Sequence, residues 1–308
     1  MGSRTLRVAA VLAIGAGLAL LGVLARPAWL PGWFVWLVGL GSAAVALNEL
    51  LGKPAFFLRW SVIRMGLGAR HLMRTWQVGD GREQKVADFV VANARAGDVD
   101  HAIQLIDEFG YRQSFLMNVG DEKGEILDAA LRRSGAKQVL EVGAYVGYSA
   151  LRIARQLPSD GHVTSVEFSA ANAALAGRII DHAGMGDRIT IVVGSLGDGG
   201  KTFAHLREKC GFAAGTLDFV FLDHDKDVYL SDLLLLLGAG WLHPGSVVVA
   251  DNIRFPGAPE YRAYMKQQEG GRWETREHEA HVEYQSLIPD LVLESTLIGP
   301  ALGTRSRA

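Results

Sequence analysis

Cysteine is nearly absent. Cys210 stands alone in 308 residues, which excludes a disulfide framework and any thiolate zinc site, and fits a reducing compartment. Charge is scarce at one end, where residues 1–52 carry only Arg4, Arg7, Arg26 and Glu49. Acidic residues are missing altogether from 53–79, which holds Lys53, Arg59, Arg64, Arg70 and Arg74. Across 80–308 the balance reverses, with 23 basic against 32 acidic residues, a net of −9 hidden inside a whole-chain charge of −2. That acidic stretch has no stripe of Lys and Arg of the kind a duplex-binding surface needs, so no nucleic acid is expected as a partner. Internal repeats are absent as well. With 49% hydrophobic residues, 21% charged residues and a mean hydropathy of +0.15, the chain is too apolar for disorder and greasy for a plain soluble enzyme.

The apolar excess sits at the N-terminus. Two runs without charge, Val8 to Ala25 and Ala28 to Leu47, are separated by Arg26 and Pro27; each is long enough for a helix to cross about 30 Å of hydrocarbon. They predict a transmembrane helical hairpin within residues 1–52, with Trp29, Trp33, Phe34 and Trp36 near the connection at headgroup depth. A cleaved signal peptide is the alternative, because Arg4 and Arg7 precede the first run, although Leu24 to Pro27 makes a poor cleavage site. The basic residues of 53–79, set against the lone Arg26, place both ends of the hairpin and the domain that follows on the cytoplasmic side. Segment 53–79 itself reads as a basic amphipathic juxtamembrane stretch on an anionic membrane face, or as a linker helix packed on the next domain.

From Gln138 onward, short β-rich runs alternate with helix-length segments. Gln138 to Val142, His162 to Glu167, Ile189 to Val193, Leu217 to Leu222 and Ser246 to Ala250 predict five strands with crossover helices over 149–156, 170–182, 201–209 and 229–237. This is the pattern of a doubly wound, parallel α/β sheet. Helices are expected over 81–94, 99–110 and 124–133 before it and over 260–268 after it, with 273–279 and 291–297 as a closing antiparallel pair. The domain spans 80–300, and 301–308 is a tail.

Ligands of such sheets bind beyond the carboxyl ends of the strands. The first strand runs into VLEVGAYVGYS, residues 139–149, where Gly143 and Gly147 permit a tight turn and a close backbone approach. Glu167 ends the second strand, where an acid can accept hydrogen bonds from ribose hydroxyls. The turn lacks GxGxxG, and Glu141 would repel a pyrophosphate. S-adenosylmethionine, with an ammonium, a sulfonium and no phosphate, suits it better than a dinucleotide. A nicotinamide-dependent dehydrogenase therefore stands only as an alternative, beside a catalytically weak membrane adaptor that keeps the fold. FLDHDKD at 221–227 and VVADN at 248–252 place Asp223, Asp251 and Asn252 at the tips of the fourth and fifth strands, hard oxygen ligands of the kind magnesium takes, with Lys226 close by.

Taken with MNVGDEKG at 117–124 and PGAP at 256–259, these blocks resemble the catechol O-methyltransferase family, membrane-bound and transmembrane relatives included, over roughly residues 79–299. The resemblance implies a class I S-adenosylmethionine-dependent methyltransferase fold, a seven-stranded and mostly parallel sheet with an antiparallel last strand, and magnesium-assisted methyl transfer to one hydroxyl of a small catechol-type substrate. By position it implies that Met117, Val119, Glu141, Gly143, Tyr145, Ser149, Glu167, Phe168, Ser195, Asp223 and His224 surround the methyl donor. Asp223, Asp251 and Asn252 match the magnesium ligands, Lys226 the general base, and Lys226, Asn252 and Glu283 the groups that hold the catechol. Three positions depart from the family pattern: Asp225 replaces an aromatic wall, Gly194 to Gly197 alters the adenine turn around Ser195 and Leu196, and Phe115 stands where a larger aromatic gate is usual. Val282 and Pro256 are candidate apolar walls for the acceptor.

Overall fold

A computed structural model describes residues 32–51, 56–75 and 77–299. The chain forms two compact units, residues 1–70 and 71–308. In the first, α1 (Gly32–Leu50) leads through a single 3-10 turn (Phe56–Leu58) to α2 (Trp60–Leu67), and α3 (Ala69–Thr75) falls at the division. Val45 and Ala46 of α1 are buried, with Trp60 and Ile63 packed on them. Asn48 and Glu49 are buried too, and Glu49 Oε1 accepts the Trp60 amide at 3.1 Å.

These facts correct the membrane expectation. Among the described residues no helix is long and apolar enough to cross a membrane, so the hairpin, the membrane as a partner and the cytoplasmic-side location deduced from them lose their support. Residues 28–47 read as a span because they are free of charge, but the helix starts at Gly32 and continues through Asn48 and Glu49. An amide and a carboxylate thus lie inside the helix, and apolar surface that reads as lipid-facing is in part covered by Trp60 and Ile63. The first run, 8–25, and the tail, 301–308, lie outside the described residues.

The second unit opens with α4 (Arg82–Asn93), α5 (Val99–Arg112) and α6 (Gly120–Ser134). It continues as β1 (Gln138–Val142), α7 (Tyr148–Gln156), β2 (His162–Glu167), α8 (Ala170–His182), β3 (Ile189–Val193) and α9 (Lys201–Lys209). Then come β4 (Leu217–Leu222), α10 (Tyr229–Gly238), β5 (Leu242–Ala250), α11 (Pro259–Gln267), β6 (Trp273–His281) and β7 (Pro289–Leu297). The seven strands form one sheet in the order β3-β2-β1-β4-β5-β7-β6. Only β7 runs against its neighbours, as the resemblance implied.

Local chemistry sets the helix ends. Asp98 caps α5 by accepting the His101 amide at 2.9 Å, and Gly135 closes α6 in the left-handed conformation that glycine adopts without strain. α6 begins four residues ahead of its expected start at 124, with Asp121 and Glu122 favourably placed in its first turn. β5 begins at Leu242 rather than 246, because a register shift opposite Leu217 and Phe219 accommodates His243, Pro244 and Gly245.

Strand parity divides the core. Leu140, Val142, Val166, Val220, Leu222, Val248 and Ala250 pack with Leu206, Leu233, Leu237, Tyr261 and Met265 of α9, α10 and α11. The alternate residues of each strand point to the opposite face, and α4 to α8 pack against one another in a separate layer. Glu141 and Ser165 belong to that second set and are direct register partners across β1 and β2.

Candidate functional site

Five strand tips, those of β3, β2, β1, β4 and β5, are tied into one row by four backbone hydrogen bonds that continue the ladders past the strands. Gly194 N donates to Glu167 O at 2.9 Å, Gly143 N to Val166 O at 2.8 Å, Asp223 N to Val142 O at 2.9 Å and Asp251 N to Leu222 O at 3.0 Å. Gly143 has φ 106° and faces the Asp223 carbonyl, which any Cβ at 143 would overlap. Glycine is therefore required there by both conformation and space.

Glu141 and Glu167 form an acidic end. Glu141 is fully buried, accepts the Ser165 hydroxyl on Oε2, and has no partner on Oε1. Burial pushes its carboxyl up to about 7, the Ser149 and Ser165 hydroxyls oppose that shift, and Asp223 and Glu167 add to it. Glu167 is also raised by burial, though less freely, because it accepts the amides of Tyr145 and Ser169, each at 2.8 Å. Tyr145 takes φ 48° to deliver that amide, and its hydroxyl donates to Glu83 at 3.0 Å. Glu83 also accepts the Val78 amide at 2.9 Å, so the turn after β1 is anchored to the start of α4. Ser149 and Val119 are buried, Met117 and Ser195 are half-buried, and the Phe168 ring is largely exposed beyond Glu167. His224 packs on Tyr229 with the rings tilted 33° and their centroids 5.0 Å apart, and its Nε2 lies 2.9 Å from Asp232 Oδ2, while Nδ1 is buried without a partner.

At the tips of β4 and β5, Lys226 Nζ donates to Asp223 Oδ1 at 2.9 Å and lies 5.1 Å from the centre of the Tyr229 ring. Asp251 is wholly buried, and its Oδ1 meets Lys123 Nζ at 2.8 Å and the Asn252 amide at 2.7 Å. Its Oδ2 has no partner. Asn252 sits at φ 55° and donates through Nδ2 to Glu283 at 3.2 Å and Asp290 at 2.9 Å. Four carboxylates, Asp223, Asp251, Glu283 and Asp290, thus face two ammonium groups, Lys123 and Lys226. Burial pushes Asp251 up, with Asp223 and Glu283 adding to the shift and the two lysines opposing it. Lys123 is pushed well above its ordinary value although burial works against it, because Asp251, Glu283 and Asp290 all favour its charge. Burial would raise Asp290 too, but Lys123 and the amides of Phe255 and Leu291 hold it low. The proton therefore stays on Lys123, and the surplus negative charge is felt at Asp251.

The sequence of residues 96–266 matches the family model described as O-methyltransferase, over more than half of the chain. A probable O-methyltransferase of Mycobacterium tuberculosis is 58% identical over 230 residues, covering 75% of this chain and 98% of that protein. This chain belongs to the O-methyltransferase family. The catechol O-methyltransferase of Bos taurus is 37% identical over 231 residues, 74% of this chain and 82% of that protein. The solved structure of the O-methyltransferase TomG of Streptomyces achromogenes, in complex with S-adenosylmethionine, superposes with a TM-score of 0.52 at 21% identity, covering 70% of this chain and 96% of that one. That likeness establishes the fold, and membership in this S-adenosylmethionine-dependent family replaces the dehydrogenase alternative.

Within the O-methyltransferase fold the sequence candidates fall into two groups. Asp223 and Lys226 are bonded to each other at the β4 tip, and Asp251, Asn252 and Glu283 are bonded together, with Lys123, beyond the adjacent β5 tip. Glu141, Gly143, Tyr145 and Glu167 line the β1 and β2 tips, with Phe168 and Ser195 at the outer margin. Asp225 is exposed and caps a short turn by accepting the Asp227 amide at 3.2 Å. Phe115 is buried edge-on to Tyr284 at 6.5 Å. Among the described residues no three His, Cys, Asp or Glu side chains are gathered as a metal site.

Sequence reasoning passed over Lys123 and Asp290. Lys123 had a signal, since an ammonium near the N-terminus of a helix opposes the helix dipole and calls for a separate reason. Asp290 had none, because a single acid at a strand start reads as ordinary turn chemistry.

Proposed function

We propose that the domain over residues 80–300 is a magnesium- and S-adenosylmethionine-dependent O-methyltransferase that acts on one hydroxyl of a catechol-type substrate. One observation carries the reading: two buried carboxylate oxygens, Glu141 Oε1 on β1 and Asp251 Oδ2 after β5, are left without partners at tips that flank β4. A buried carboxylate oxygen with nothing to accept is costly unless a ligand completes it. Glu141, lacking any phosphate cradle beside it, fits the ammonium of the methyl donor, and Glu167 fits its ribose. Asp251 Oδ2, the carboxylate of Asp223 and the amide oxygen that Asn252 turns away from Glu283 and Asp290 fit a hard divalent cation. The carboxylates of the cluster outnumber its ammonium groups, a surplus that a bound cation would offset. Relatives named catechol O-methyltransferase at 37% identity support the acceptor class.

When bound, the donor supplies an electrophilic methyl group and the metal supplies a Lewis acid beside the acceptor hydroxyls. The residues of the chain do the rest. Lys226 Nζ, held at the β4 tip beside Asp223, takes the proton that the attacked hydroxyl loses. Glu283 and Asn252 hold the second hydroxyl, while Glu141 and Glu167 hold the donor. Held by Glu141 and Glu167, the donor would supply the methyl group as an electrophile, its sulfur keeping the bonding pair. The acceleration comes mainly from alignment of the two reactants.

The test is methyl transfer by the full chain to a panel of catechols and single phenols, with and without magnesium. Product is expected from catechols only, and only with the divalent ion. Turnover that survives exhaustive chelation would refute the metal role, and equal methylation of single phenols would refute the catechol assignment.

A further inference from the structure

We infer that Lys123 is a positioning residue that locks Glu283 against the Asp251 end of the site, and so sets which of two catechol hydroxyls is presented for methylation. The inference rests on the reading above and adds a determinant of regioselectivity to it. The Lys123 side chain is 0% exposed, and its Nζ lies 2.6 Å from Glu283 Oε1, 2.8 Å from Asp251 Oδ1 and 3.0 Å from Asp290 Oδ2. An ammonium has three protons, and here three acceptors come from three separate segments: the residue after β5, the β6–β7 connection and the second residue of β7.

Asp290 completes the lock from the other side. Its Oδ2 also accepts Asn252 Nδ2 at 2.9 Å, and its Oδ1 accepts the amides of Arg254 at 3.2 Å, Phe255 at 3.0 Å and Leu291 at 2.8 Å. Lys123 and Asn252 therefore share the same two acids. Both bond to Oε1 of Glu283, which leaves Oε2 to a ligand. Glu283 itself lies in a connection rather than on a strand, so its aim depends on these two donors, and the ammonium is the nearer one. A fully buried lysine near the start of a helix loses hydration and opposes the helix dipole. What it gains is a fixed relation between two ends of one site.

The experiment compares the full wild-type chain with Lys123→Gln and Asp290→Asn. Donor affinity is measured by titration calorimetry, and the two methylated products of 3,4-dihydroxybenzoate are separated by chromatography. With Glu283 loosened, the KM for the acceptor is expected to rise about tenfold or more with a smaller fall in kcat, and the product ratio to move toward one to one. Donor affinity should stay within about twofold of wild type, because the donor residues lie at other tips. Adding Glu283→Gln to Lys123→Gln should change the ratio no further, as expected of residues that act through one contact. Should Lys123→Gln fail to fold, Asp290→Asn, which keeps side-chain shape, carries the same test. A wild-type product ratio and KM in a folded variant would overturn the inference. So would loss of donor binding in both variants, since Lys123 would then serve the fold alone. A wild-type chain that binds the donor and methylates no catechol would instead refute the acceptor reading on which the inference rests.

Discussion

Replacing Glu141 with Gln should make this protein more stable at high pH while removing its hold on the methyl donor. The carboxyl is fully buried and pushed from its ordinary 4.5 up to about 7. A raised carboxyl binds its proton more tightly in the folded chain than in the unfolded one. Its stabilising share is thus complete below pH 4.5 and lost as pH rises through 7. At pH 8 the ionised, buried carboxylate costs the fold about 3 kcal/mol relative to a neutral group, at about 1.4 kcal/mol per pKa unit. Glutamine can still accept the Ser165 hydroxyl, but its amide protons replace an oxygen that has no partner, at a cost of about 1 kcal/mol. The net gain at pH 8 is about 2 kcal/mol, which for a domain of this size raises Tm by roughly 4–8 °C. At pH 5 the carboxylate penalty has fallen below about 1 kcal/mol, and the variant should lose its advantage. Thermal unfolding of both proteins from pH 5 to pH 8 tests the slope, and calorimetric titration with S-adenosylmethionine at pH 8 tests the function. A variant less stable than wild type at pH 8, or one that binds the donor as tightly, would refute the reasoning.

Two further outcomes follow from the same geometry. Lys226→Ala should lose most turnover, on the order of a hundredfold or more for a removed general base, while the donor Kd measured by calorimetry is unchanged; near-normal kcat would exclude the base role. Gly143→Ala places a Cβ against the Asp223 carbonyl at φ 106°, which should cost about 3 kcal/mol from strain and overlap together, read as a fall in Tm with donor binding lost in parallel.

The sheet was legible because its evidence is local and periodic. Five apolar runs of five or six residues with helix-length gaps admit few arrangements, and their boundaries hold to within a residue except at β5, where Pro244 and Gly245 conceal an early start. The β4 and β5 tips were legible because FLDHDKD and VVADN put polar residues directly after apolar strands. The N-terminal helix was misread for a comparable reason. Absence of charge over 28–47 reads as the helix itself, whereas α1 runs from Gly32 to Leu50, with Asn48 and Glu49 inside it and Trp60 and Ile63 packed on Val45 and Ala46. Partners across the chain were least legible. Lys123 and Asp290 stand 167 positions apart, and only the folded sheet, with β7 inserted between β5 and β6, brings them to one oxygen.

That insertion also explains why the acceptor end carries so many acids. β7 runs antiparallel between β5 and β6, so its N-terminal end, with Asp290, arrives beside the C-terminal end of β5, with Asp251 and Asn252. Glu283 comes along on the connection from β6. A parallel seventh strand would have delivered its opposite end, where Thr296 and Leu297 stand. The one reversed strand thus gathers Asp251, Glu283 and Asp290 at a single edge of the site. Three buried carboxylates cannot stay together without compensating charge, and within this chain that compensation is Lys123. The fourth acid, Asp223, is matched by Lys226 on the neighbouring tip, so each ammonium has its own place in the charge balance. Neutralising Lys226 alone therefore deepens the negative surplus around Asp223 without loosening Glu283, whereas neutralising Lys123 does both, and this difference is what separates a proton acceptor from a positioning residue in the kinetics.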